Sequence, residues 1–439
     1  MIYFDNAASA PVLECARKAA EPFLWECCGN PSSIHSEGRR AALALIEARE
    51  KCAAAVGAEP DEIVFTSGGT ESDNTAVRQA AALGASAGKR RVVASAIEHP
   101  AVLNTCAALE KSGFEVKYIG VDGGGYVDME QARKLITPET AVVSVMAANN
   151  EVGTIQPIRE LAALCRERGA LFHTDAVQAA GHIPIDVREL GCDMMSVSAH
   201  KLGGLRGAGL LYIRRGLELQ PLICGGGQEN GLRSGTENTA AIVSMGAAME
   251  YACGDINGRS ERISALRDRL VAGLLEISGS RLNGGISPRL CGNVNVSFSG
   301  VEGESLVLGL DIRGVCASSG SACSSGNELP SHVLRAMGVP EDMLKGSLRL
   351  TLSEFNTADE VETAIRAVRE TVETLRELRG WEGRYENQMD IQRAGGDGGS
   401  TLPGAVPYVR ILRACPLDAD RIFLSAAGRG AGGAPVFAG

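Results

Sequence analysis

Leu171-Phe172-His173-Thr174-Asp175 and, further on, Met194-Met195-Ser196-Val197-Ser198-Ala199-His200-Lys201 are the stretches on which the reading of this chain turns. Each opens as a short apolar run of strand length and closes on a residue able to do chemistry. Asp175 stands 26 residues before Lys201, about one strand–helix–strand step. Neighbouring parallel strands would therefore bring both side chains to one crevice.

The same pattern extends outward in both directions. Apolar runs at 63–66, 92–95, 142–147 and 209–213 have the length and composition of strands covered on both faces. Helical stretches lie between them, such as 158–168 with Ile158, Leu161, Leu164 and Cys165 on one face. Such alternation predicts an α/β fold with a mostly parallel sheet and right-handed crossovers, whose ligands sit at the carboxyl ends of the strands. A long helical pattern runs from Thr239 to about Leu275. A smaller α/β region follows, with strands at 294–298 and 347–352 and a last helix from Ala358 to about Arg379. The expected division is a large domain over 11–257 and a small one from 1–10 and 258–380, the boundary falling inside the long helix. Residues 381–439 contain the glycine-rich runs 395–400 and 428–434 and are expected to be a poorly ordered tail.

A chain of 439 residues, 45% hydrophobic and 22% charged, is long enough for two packed units without disulfides or metals. A net charge of −10 argues against general nucleic-acid binding, which needs basic surface. No apolar run approaches the roughly 20 residues that span a bilayer. The start, Met1-Ile2-Tyr3-Phe4-Asp5, lacks the regions of a secretory signal, so a cytoplasmic location is expected. The thirteen cysteines are irregularly spaced with no CxxC pair, so no metal site is expected and most thiols should be buried and free.

Four features carry candidate chemistry. Ser67-Gly68-Gly69-Thr70-Glu71-Ser72-Asp73-Asn74 follows a strand-like run, and a small-residue turn opening a helix suits a phosphate. By itself it reads equally as a turn with an N-cap. Asp175, with Gln178 three residues on, is the second feature, and Ser198 to Lys201 the third. An aspartate and a lysine in one crevice read equally as a salt bridge. Pyridoxal phosphate gives them separate work: lysine forms the Schiff base, and aspartate keeps the pyridine nitrogen protonated. The fourth feature is Ser318-Ser319-Gly320-Ser321-Ala322-Cys323-Ser324-Ser325-Gly326, where small and polar residues surround one thiol. Structural cysteines such as Cys165 and Cys192 lie in apolar runs; Cys323 does not, and a nucleophilic thiolate needs such an exposed setting.

These motifs, together with Tyr3 to Ala8, Gly29 to His35, Glu98-His99, Asn149 to Gly153, Arg233 to Thr236, Pro330 to Ala336 and Leu348-Arg349-Leu350, resemble the cysteine desulfurases of the NifS/IscS type. That family lies in the class V, fold-type I pyridoxal-phosphate-dependent aminotransferase superfamily, and the cysteine loop is similar to its group I, long-loop branch. The resemblance covers about residues 2 to 379. It implies conversion of L-cysteine to L-alanine, with sulfur carried as a persulfide on Cys323 to an acceptor protein such as an iron–sulfur scaffold, in a homodimer. It further implies that Lys201 binds pyridoxal 5'-phosphate and moves protons, that Asp175 pairs with the ring nitrogen and Gln178 with the phenolic oxygen. His99 would stack on the ring and share in proton transfer, and Asn150 would lie near the ring oxygen and the substrate carboxylate. Gly69, Thr70, Ser198 and His200 would hold the phosphate, with Thr236 from a second subunit, and Arg349 would clamp the substrate carboxylate.

Three positions depart from the family pattern: Gly204-Leu205-Arg206-Gly207 after the lysine, Ser9-Ala10 for a usual threonine pair, and Glu328-Leu329-Pro330 beyond the loop. An aminotransferase or selenocysteine lyase of the same fold is the rival enzyme, and a catalytically silent sulfur-trafficking partner the rival of another class.

Overall fold

The computed structural model describes residues 1–319 and 330–394, with 381–394 described by backbone alone. Met1–Trp381 forms one compact unit. Its strands are β1 (Ile2–Tyr3), β2 (Ile63–Thr66), β3 (Arg91–Ser95), β4 (Glu115–Ile119), β5 (Thr140–Ser144), β6 (Leu171–Asp175), β7 (Met194–Ser198), β8 (Gly209–Ile213), β9 (Ser280–Leu282), β10 (Asn293–Phe298), β11 (Val315–Cys316) and β12 (Ser347–Thr351).

Seven strands form the central sheet in the order β2-β8-β7-β6-β5-β3-β4. The pairs from β4 through β7 are parallel, and β8 runs antiparallel to both β7 and β2. The mostly parallel α/β expectation is met. Strands β5, β7 and β8 are buried at every residue, so each needs apolar side chains on both faces. Alternation sends Val143, Met195 and Leu210 into one core with Leu45, Leu161 and Met245. Their neighbours Val142, Met194 and Leu211 enter the opposite core with Val77 and Cys106. Helices thus cover both faces. A separate core lies on the three-stranded antiparallel sheet β12-β10-β9, where Val294, Val296, Phe298, Leu348 and Leu350 pack against Leu270, Leu274 and Val368.

Two expectations change. The long helix expected over 239–275 is two helices, Thr239–Gly254 and Ile256–Leu275. Asp255 separates them at φ −132° and ψ 65°, and its side chain caps the second by accepting from the Gly258 N–H. The last helix does not end near Arg379 but runs Ala358–Ala394. Gly380 and Gly383 read as stop signals, yet the Leu, Arg, Glu and Gln around them favour helix strongly enough to continue it. The tail expected from 381 therefore begins in helix, and 395–439 lie outside the described residues.

Candidate active site

Strand direction builds the site. Asp175 ends β6 and Ser198 ends β7, and these parallel neighbours pair Asp175 with Ser196, so both carboxyl ends open on one edge. A short 3₁₀ turn, Ala199–Lys201, follows at once and delivers Lys201 to that edge. Two antiparallel steps, through β8, return β2 to the direction of β7, with Gly209 paired to both Thr66 and Ser198. The turn after β2 therefore arrives beside Ser198. Only a glycine permits this at 209, since a Cβ there would fall 2.6 Å from the Gly68 Cα.

Helix Gly69–Ser86 opens at that turn, and its N-cap, Gly68, supplies no capping side chain. Its first backbone N–H groups and positive dipole end face a cleft of about 340 Å³ lined by Gly68, Gly69, Thr70, Ser198, His200 and Arg206. A second cleft of about 340 Å³ shares Thr70 and is lined by Asn74, Arg78, His99 and Asn104.

Asp175 is 5% exposed, and its Oδ1 accepts from the Val177 N–H at 2.9 Å. Burial raises its carboxyl, opposed by the charges of His99 and Lys201. His99 caps helix Pro100–Lys111, its Nδ1 accepting from the Ala101 N–H at 3.1 Å, which leaves the proton on Nε2. Burial lowers its pKa against the pull of Asp175, so the imidazole is neutral and carries on Nε2 a proton it can donate. Lys201 Nζ donates to the carbonyls of Ala7 and Ala8. Gln178 Nε2 donates to the same Ala7 carbonyl at 2.9 Å. The His200 ring nitrogen Nδ1 lies 3.3 Å from the Ser9 hydroxyl; burial, then Lys201 and Arg206, lower this histidine to about 4.

Arg349, on β12, is 3% exposed and forms an ion pair with Asp5 at 3.0 Å. It also donates to the Asn150 carbonyl at 3.1 Å. Thr236 is exposed in the segment before helix Thr239–Gly254 and lines neither cleft. Cys323 lies outside the described residues; the chain leads towards it from Ser318, whose backbone exchanges hydrogen bonds with that of Arg349 at 2.7 and 3.1 Å. The described cysteines Cys52, Cys106 and Cys192 are buried, which pushes their thiols up to about 12. They behave as small apolar side chains. Among the described residues no His, Cys, Asp or Glu cluster could hold a metal.

Sequence reasoning gave no role to three polar residues beneath the edge. Asp73 is 1% exposed and lies 3.6 Å from His173, which bridges the hydroxyls of Ser144 and Ser196 at 2.9 Å each. Glu98 is fully buried, its Oε1 accepting from the Met146 N–H at 2.8 Å and from the Ser95 hydroxyl. Asp73 and Glu98 stand in the quoted motifs, but burial of a carboxyl leaves no mark in sequence. The assembled edge can hold an anion at the helix N-terminus and a cationic nitrogen against Asp175, with a primary amine between.

The family model Aminotransferase class-V matches residues 2–363. A cysteine desulfurase IscS of Methanosarcina thermophila is 48% identical over 377 residues, covering 86% of this chain and 93% of that protein. A cysteine desulfurase of Gluconacetobacter diazotrophicus is 48% identical over 386 residues, covering 87% and 96%. Among solved structures, a NifS-like protein superposes with a TM-score of 0.80 at 39% identity, covering 85% of this chain and 99% of its own. SspA in complex with cysteine does so with a TM-score of 0.72 at 36% identity, covering 81% and 100%. Matched by the family model over residues 2–363 and by relatives 48% identical over most of its length, the chain belongs to the class-V aminotransferase family, among its cysteine desulfurases.

Proposed function

We propose that this protein is a pyridoxal-phosphate-dependent cysteine desulfurase that converts L-cysteine to L-alanine and passes the sulfur on from Cys323. The observation that carries the reading is the placing of Asp175 and Lys201 at the ends of adjacent parallel strands, opposite an uncapped helix N-terminus.

The residues fit the cofactor. Its phosphate would meet the open N–H groups at Gly69 and Thr70, the Ser198 hydroxyl and His200, while a protonated ring nitrogen would set an opposite charge against buried Asp175. Gln178 and Asn150 would meet the ring oxygen, and His99 the ring face. When bound, pyridoxal phosphate supplies an electron sink for bonds at the α-carbon of an amino acid. Lys201 holds the group through its amine and exchanges protons with the substrate's carbon. His99, kept neutral by burial, shares in proton transfer through its Nε2–H. Arg349 offers a planar fork to the substrate carboxylate. The Cys323 thiolate then attacks the substrate sulfur: a sulfur–sulfur bond forms as the carbon–sulfur bond breaks. The electron pair stays on the carbon fragment, which is protonated and leaves as alanine.

The persulfide passes to an acceptor protein of the iron–sulfur scaffold kind. The working form is a homodimer in which Thr236 of each chain completes the other's phosphate site, in the cytoplasm. No helix among the described residues is long and apolar enough to cross a membrane. Residues 11–257 form the cofactor-binding domain, and 1–10 with 258–380 the domain that carries the cysteine.

Lys201→Ala tests the reading. The purified variant is expected to lack the visible absorbance of covalently held pyridoxal phosphate and to release no alanine from L-cysteine. A variant that keeps both sinks the assignment.

A further inference from the structure

The first residues of the chain run as a strap across the site. β1 pairs with β11, and the next residues are fastened to Thr351 of β12. The Thr351 N–H donates to the Phe4 carbonyl at 2.7 Å, Asn6 Nδ2 donates to the Thr351 carbonyl at 2.7 Å, and the Ala7 N–H donates to Thr351 Oγ1 at 2.8 Å. Thr351 and Arg349 are two residues apart on one strand and share a face. The fastening therefore sets Asp5 beside the guanidinium of Arg349, Nη2 to Oδ1 at 3.0 Å. Beyond it the carbonyls of Ala7 and Ala8 receive Lys201, and Ser9 meets His200 and Arg206.

Arg349 is buried, and a buried guanidinium needs a fixed negative partner. Nη1 is used by the Asn150 carbonyl and Nη2 by Asp5, while Nε is buried with no hydrogen-bond partner among the described residues. An unpaired buried N–H is costly, and in a binding site it marks the place of an acceptor. Nε and the neighbouring hydrogen of Nη2 form one edge of the fork, the edge that takes a carboxylate through two parallel bonds. Asp5, held by the strap, fixes the fork from the other side.

We propose that Asp5 is a positioning residue for the substrate's α-carboxylate: it sets the Arg349 fork so that the Nε edge receives that group. The inference rests on the reading of Arg349 as the carboxylate clamp.

The test measures KM and kcat for L-cysteine in holoenzyme carrying Asp5→Asn, alone and combined with Arg349→Ala. Loss of one charge-assisted contact is expected to raise KM about tenfold with kcat within about twofold of wild type. No further rise is expected in the Arg349→Ala background. Asp5→Glu keeps the charge, and with it the fold, but displaces the carboxylate. It is also expected to raise KM, because misplacement alone suffices. An unchanged or lowered KM in both Asp5 variants, or an undiminished effect without Arg349, overturns the proposal. Wild type that makes no alanine would instead sink the desulfurase reading, and Arg349→Ala with a normal KM would sink the clamp.

Discussion

Glu98 is a carboxyl group kept out of water, and its surroundings decide its charge. Burial pushes it up to about 8 from an ordinary 4.5, with the Ser95 hydroxyl and the Met146 N–H only partly opposing this. A group whose folded pKa is raised adds stability that is fully present below about 4.5 and is lost as pH climbs through about 8. Glu98→Gln removes that titration. The melting temperature of wild type, measured against the variant, is expected to fall by about 2 to 4 °C between pH 5 and pH 8. Parallel melting curves across that range would contradict the buried, protonated carboxyl. At this scale the sequence showed residue types but not their partners. Lys201, Asp175, His99 and Arg349 were legible because each sits at a strand end or in a quoted motif. Gln178 turning onto the Ala7 carbonyl, and Asp5 holding Arg349, were not, because both depend on a strap distant in sequence from what it touches.

The fit of the turn at Gly68 to strand β8 belongs to the element scale. A methyl group on Gly209 would fall 2.6 Å from backbone, not from a side chain that can rotate away. Gly209→Ala must therefore lift the opening of helix Gly69–Ser86 off the sheet, at a cost of about 1–3 kcal/mol. Titration of the apo-protein with pyridoxal phosphate is expected to show affinity weakened about tenfold, that is by about 1.4 kcal/mol. Unaltered affinity would mean that the helix N-terminus does not hold the phosphate. Most elements were legible for one reason: strands buried on both faces write continuous apolar runs. β4 escaped notice because it is the sheet edge, where Glu115 and Lys117 face solvent and break the run. The break at Asp255 between Thr239–Gly254 and Ile256–Leu275 does carry local signals, Gly254 before it and Asn257-Gly258 after it, but the longer helical patterns on both sides run through them.

Over the whole molecule, the residues proposed for the chemistry are shared between two sheets. The seven-stranded sheet carries Asp175, Ser198 and the turn bearing Lys201; the three-stranded sheet carries Arg349, with Ser318 bridged alongside it. The strap at 4–9 touches residues placed by both. That division was legible as two stretches of α/β pattern, whereas the joining by the strap was not, since a short N-terminal segment has no periodicity to read. Movement of sulfur from L-cysteine to Cys323 is the step on which every other proposed role depends. Wild-type and Cys323→Ala proteins, each loaded with pyridoxal phosphate, should be given L-cysteine and a thiol reductant that frees persulfide sulfur as sulfide, and the alanine and sulfide released should be measured together. Equal amounts of both from wild type, and neither from the variant, is the result predicted here; equal turnover by the two proteins would contradict it.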